Sequence, residues 1–139
     1  MKEMKRLLMV TAAGPDRPGI TATLTGVLVR HGAEVVDIEQ ASLQSHLGLY
    51  FLLDLRRAQV GEDSVIKDLL FEANKLELTL NFRLFSEAEV RAVNERNLFV
   101  LTHFGGTRGL HALSSILGEE RVNIQTISTV THHGETSME

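Results

Sequence analysis

The sequence predicts an α+β fold: four antiparallel strands with two helices on one face. Three observations lead there. Leu47, Leu49, Phe51, Leu53 and Leu55 alternate with other residues, as do Leu78, Leu80, Phe82 and Leu84, which is the period of a strand. Ile20, Leu24, Val27 and Leu28, and later Val65, Leu69, Leu70, Ala73 and Leu76, form apolar stripes at helical spacing. With a short apolar run from Leu7 and a strand over Ala33–Leu43, residues 1–85 read βαββαβ. The simplest fold for that order is a ferredoxin-like sandwich.

The first strand, Leu7-Leu8-Met9-Val10 with Thr11-Ala12, is apolar on both faces, as a central strand is. Gly14-Pro15 ends it. A helix then starts near Pro18, since proline suits the first helical position, and Gly32 after His31 is its left-handed cap. The second strand carries Asp37, Glu39 and Gln40 beside Val35, Val36 and Ile38. That polarity fits an edge strand or one that faces a partner. Gln44-Ser45-His46 is a turn. The third strand sets Tyr50 and Leu52 opposite its leucine face. This is more apolar than a half-solvated sheet requires, so a second module or another chain is expected to cover it. The polar stretch Gln59–Asp63 precedes the second helix, and Glu77–Phe85 is the fourth strand.

The charged stretch 86–97 reads as a linker, and the pattern then begins again. A strand is expected over Leu98–Thr102, a loop at Gly105–Gly109, a helix with Leu110, Leu113, Ile116 and Leu117, a strand over Val122–Val130, and a turn at His132-His133-Gly134. Leu24 and Leu113, Val27 and Ile116, and Leu28 and Leu117 are each 89 positions apart. Residues 98–139 therefore read as an internal repeat. At that offset Glu139 stands level with Tyr50, so the second copy is expected to be incomplete and the chain to be a fragment of a longer protein. Unpaired strand edges are then expected either to pair with a neighbouring chain or to leave the copy poorly ordered.

Composition narrows the function classes. With 43% apolar and 23% charged residues, the 139-residue chain has a globular profile. A net charge of −4 and scattered lysines and arginines argue against nucleic acid. Without cysteine there is no thiolate metal site or cysteine nucleophile, and a cytoplasmic location is the natural expectation. No apolar run approaches the ~18 residues of a membrane span. Motifs of nucleotide loops, serine hydrolases and zinc proteases are absent. His132 and His133 with His103 or His111 lack a carboxylate–histidine spacing and read as solvated residues rather than metal ligands. His31 reads as a helix-dipole partner and His46 as a turn residue.

One stretch can carry ligand chemistry: Gly14-Pro15-Asp16-Arg17-Pro18-Gly19, between a strand and a helix start. Free N–H groups and the helix dipole favour a carboxylate there. Gly14 permits a sharp turn, Pro15 and Pro18 stiffen the loop, and Gly19 lets a ligand approach the backbone. Asp16 can pair with an ammonium group or cap the helix. The same residues also make an ordinary tight turn. The equivalent loop Gly105-Gly106-Thr107-Arg108-Gly109 has no acidic residue and is the poorer candidate.

The stretch from Val10 through D-R-P-G-I-T, continuing through His31-Gly32 to D-I-E-Q at Asp37–Gln40, resembles the opening of an ACT domain. Two such copies, with Val65–Ala73, resemble the N-terminal region of bacterial phosphoserine phosphatases of the SerB type. The resemblance implies a regulatory region that binds a small amino acid, serine or glycine, at interfaces between modules. Gly14, Asp16, Arg17, Pro18, Gly19 and Ile20 would line the site, with Val36 and Asp37 opposite. It implies a homodimer or a strand-exchanged assembly, and no nucleic acid or membrane partner. It implies no cofactor in this chain, the family's Mg²⁺ and aspartate nucleophile belonging to a downstream catalytic domain. Two further readings stay open: a stand-alone tandem regulator acting by protein contact, like the glycine-cleavage regulators, and a pure dimerisation module.

Overall fold

The computed structural model describes residues 7–58, 61–85, 100–132 and 135–138. The chain divides into two compact units, Met1–Glu95 and Arg96–Glu139. In the first, β1 (Leu7–Pro15), α1 (Ile20–His31), β2 (Glu34–Leu43), β3 (His46–Asp54), α2 (Glu62–Lys75) and β4 (Thr79–Phe85) follow in the expected order. The sheet runs β2-β3-β1-β4, and all three pairings are antiparallel.

β1 is central, with partners on both sides. Its Leu8, Val10 and Ala12 face the helices and belong to the core, and Leu7, on the other face, is buried as well. Leu47, Leu49, Phe51 and Leu53 turn one face of β3 toward the helices, and none is more than 1% exposed. Ile20, Leu24, Val27 and Leu28 of α1 and Val65, Leu69 and Ala73 of α2 close the core against that face. His31 Nε2 and Asp68 Oδ2, 2.6 Å apart, tie the end of α1 to α2. At the same end the Gly32 N–H donates to Val29 O (3.2 Å) and the Ala33 N–H to Leu28 O (3.0 Å), with Gly32 at φ 70°. This is a left-handed helix stop that glycine adopts without strain.

β2 is an edge strand, and all ten of its residues are exposed. The register slips between Val35 and Asp37, which leaves Val36 in a bulge. Beyond it Ile38 and Gln40 share the helix-side face with Phe51 and Leu49, while Asp37 and Glu39 share the open face with Leu52 and Tyr50. The β2–β3 turn is Gln44-Ser45, both with positive φ, as a two-residue primed hairpin turn requires. His46 is not a turn residue. It opens β3 and pairs with Leu43 and Pro15. The near-buried Asp54 is held by Arg56, whose Nε (3.0 Å) and Nη2 (2.9 Å) both reach Oδ2.

Two boundaries differ from expectation. α1 starts at Ile20, with Gly19 as its N-cap, so Pro18 lies before the helix. β1 runs past Ala12 to Pro15, so that Gly14-Pro15 are its last two residues.

The second unit holds β5 (His103–Phe104), α3 (Thr107–Glu119), β6 (Thr129–His132) and β7 (Glu135–Met138), with its sheet in the order β5-β7-β6. The helix falls where the periodicity puts it. The strands are shorter than the sequence pattern: 100–102 and 122–128 form no strand, and His132 ends β6 rather than entering a turn. A strand extends only as far as its ladder, and the middle strand β7 is four residues long. The expected linker over 86–97, residues 98–99 of the expected strand, and the His133-Gly134 part of the expected turn lie outside the described residues.

Phe51 fills the centre of the first core, so Phe51→Ala is expected to lose about 3–5 kcal/mol of stability. Val29 is 79% exposed, so Val29→Ala is expected to stay within about 0.5 kcal/mol of the parent. Urea unfolding of the two variants checks both.

Candidate functional site

The β1–α1 loop, residues 16–19, is fixed on two sides. The Asp16 N–H donates to Ser45 O at 2.9 Å, anchoring the loop to the β2–β3 turn. Arg17 Nη2 donates to Glu77 Oε2 at 3.3 Å, reaching the α2–β4 turn. Gly14 makes that second approach possible. A Cβ there would sit 2.8 Å from both Glu77 O and Leu78 Cδ2. Gly14 therefore has a packing role, because its empty side is filled by the α2–β4 turn.

Gly19 has φ 90° and open space around its missing Cβ. It is there for its backbone: the chain must turn left-handed to enter α1, and only glycine does so freely. The first intrahelical bond runs from the Thr23 N–H to Gly19 O at 2.9 Å. The helix has no side-chain cap and no acidic residue in its first turn. The N–H groups of Ile20, Thr21 and Ala22 therefore form an uncompensated positive terminus. Asp16 does not cap the helix.

A cleft of about 480 Å³ opens over this terminus. It is lined by residues 16–22 and by Gln40 of β2. The Thr21 hydroxyl donates to Gln40 Oε1 at 2.6 Å, joining α1 to β2 beside the cleft. The helix-side register of β2 aims Gln40 at α1. The cleft thus combines backbone donors for an anion, a carboxylate at Asp16, and a hydroxyl–amide pair. Arg17, engaged by Glu77, adds little net positive charge. Among the described residues no group of three or more histidine or acidic side chains is placed to hold a metal.

The structure brings Asp16, Arg17, Pro18, Gly19 and Ile20 together in one cleft. Gly14, Val36 and Asp37 are not in its lining. Val36 is in the bulge, and Asp37 lies on the opposite face of the sheet. Sequence reading missed Thr21, Ala22 and Gln40. The period of β2 carried the signal for Gln40, since it stands two residues beyond Ile38 on the helix-side face. In the second unit, Gly106 caps α3, Thr107 and Arg108 begin it, and Gly109 lies within it.

The family model described as the ACT domain matches residues 6–83. A UPF0237 protein of Methanopyrus kandleri is 38% identical over 61 residues, which are 44% of this chain and 68% of that protein. Phosphoserine phosphatase SerB2 of Mycobacterium tuberculosis is 37% identical over 61 residues, 44% of this chain but 15% of that enzyme. A solved structure described as a glycine cleavage system transcriptional repressor superposes with a TM-score of 0.62 at 16% identity. It covers 98% of this chain and 78% of that one, a likeness of fold.

Two glycine substitutions separate backbone from packing. Gly19→Ala is expected to lose about 1–2 kcal/mol through left-handed strain, and Gly19→Asn less, because asparagine tolerates that region. Gly14→Ala is expected to lose about 1–3 kcal/mol by overpacking. Denaturant midpoints of the three variants check the assignments.

Proposed function

The chain belongs to the ACT domain family, and from that premise we propose that its first unit is a regulatory module that binds a small free amino acid in the β1–α1 cleft. The observation that supports this most is the uncapped first turn of α1 facing Gln40 across a cleft with Asp16 at its rim. In the proposed pose the ligand carboxylate accepts from the N–H groups of Ile20, Thr21 and Ala22. The ammonium group pairs with Asp16. The side chain points at Thr21 and Gln40, where a hydroxyl can exchange into their hydrogen bond. Serine fits that description and glycine is its minimal form, so serine is the proposed ligand. The chain regulates rather than catalyses in this reading, and binding acts through the difference in ligand affinity between two states.

The second unit is proposed to repeat the first. Its β6–β7 pairs, from Thr129↔Met138 to His132↔Glu135, reproduce Gln40↔Leu49 to Leu43↔His46 at an offset of 89. Its sheet order β5-β7-β6 mirrors β1-β3-β2. Its loop lacks an acidic counterpart of Asp16 and is not proposed as a second site.

What the module regulates has two readings. The UPF0237 match covers 68% of a relative not much longer than one such unit, which supports a stand-alone regulator. The SerB2 match supports a regulatory region of a phosphoserine phosphatase. A native reading frame that continues into an aspartate-based phosphatase domain selects the second.

Calorimetric titration of the folded protein with L-serine, glycine and L-alanine tests the site. Serine is expected to bind, and Asp16→Asn to weaken it about tenfold or more, the loss of one charge-assisted hydrogen bond. Gln40→Ala is expected to weaken serine while sparing glycine. No heat with any of the three, or with the other common amino acids, removes the ligand-binding reading. An unchanged serine affinity in Asp16→Asn removes Asp16 from the site.

A further inference from the structure

Past Lys75, α2 stops on two backbone bonds. The Leu78 N–H donates to Ala73 O at 2.9 Å and the Glu77 N–H to Asn74 O at 3.3 Å. In such a stop the residue after the cap turns left-handed, a place that glycine fills without strain. Here Glu77 fills it, at φ 59°. A side chain makes that backbone costly. The Glu77 carboxylate accepts from Arg17 Nη2 at 3.3 Å, but both side chains are well exposed, Arg17 at 42% and Glu77 at 73%. An exposed ion pair adds little to stability, less than the left-handed backbone takes away. Stability therefore does not account for a glutamate at 77, and a strained residue beside a cleft points to function.

What the pair does change is the charge at the cleft. Arg17 lines the cleft and Glu77 does not. The start of α1 already favours one carboxylate there. A free Arg17 guanidinium would favour a second. With Glu77 on Arg17, the charged side chains at the cleft are two carboxylates, Asp16 and Glu77, to one guanidinium. Building on the amino-acid reading of the cleft, on which this depends, we infer that Glu77 is a specificity-determining residue. By occupying Arg17 from outside the cleft, it admits amino acids with uncharged side chains and turns away acidic ones. Specificity gained in this way comes from a like charge set against the wrong ligand rather than from a new contact to the right one.

Calorimetric titration with L-serine, L-asparagine and L-aspartate tests this, because asparagine and aspartate share a shape and differ in charge. The parent is expected to bind serine and asparagine, and aspartate at least about fivefold more weakly than asparagine. Glu77→Gln is expected to leave serine within about threefold and to shift the aspartate-to-asparagine ratio about fivefold toward aspartate. The shift is expected to shrink as salt is raised from about 20 mM to 0.5 M, since the charges involved are exposed. Arg17→Gln added to Glu77→Gln is expected to abolish it, which places the effect on the pair. Glu77→Gly is expected to shift the ratio as Glu77→Gln does, with a urea midpoint no lower than the parent's, so that the change is not one of folding. If serine and asparagine bind and Glu77→Gln leaves the ratio unmoved, the inference falls and the amino-acid reading stands. A shift that persists without Arg17 also overturns it. If the folded parent binds no amino acid, the reading itself falls and the inference falls with it.

Discussion

The structure of the first unit depends on the position of β1. It is paired on both sides, and Leu8, Val10 and Ala12 are buried against the helices, so it cannot shift without breaking two ladders at once. Its C-terminal end therefore delivers the 16–19 loop to one fixed place. The neighbouring turns hold the loop there. The β2–β3 turn accepts the Asp16 N–H, and the α2–β4 turn fills the space that Gly14 leaves. Gly19 then turns the chain into α1 with its first amides unsatisfied. The cleft follows from strand pairing before any side chain contributes to it.

The bulge in β2 has an equally local cause and wider effects. One extra residue at Val36 reassigns everything after it: Gln40 reaches the helix side and joins the cleft, while Asp37 and Glu39 reach the open side. A β2 without the bulge would exchange these faces. One edge strand thus borders two surfaces of different chemistry, with Gln40 lining the cleft and Asp37 and Glu39 on the open face of the sheet. Its full exposure makes it free to do so.

The two units differ in how far pairing organises them. In the first, strands of seven to ten residues form one side of a buried core. In the second, β7 offers four residues of ladder, and no side chain described in α3 is buried. The β6–β7 register reproduces that of β2–β3 at an offset of 89 positions.

Periodicity determined the βαββαβ order and the core faces of β3 and both helices, apolarity on both faces pointed to a central β1, and polarity pointed to β2 as an edge strand or one facing a partner. Each follows from contacts between residues close in sequence or from burial averaged over a whole element. The D-R-P-G loop was legible as a ligand candidate for the same reason, since Gly and Pro restrict the local backbone. Tertiary structure decided the rest. Gly14 looked like a turn residue until the α2–β4 turn, more than sixty positions away, proved to occupy its empty side. Asp37 and Gln40 exchanged significance because a bulge reads as one more strand residue in sequence and becomes visible only against the register of β3. Local period places Gln40 on the same face as Ile38, but only the register with β3 shows which face that is, and the composition of the cleft depends on it.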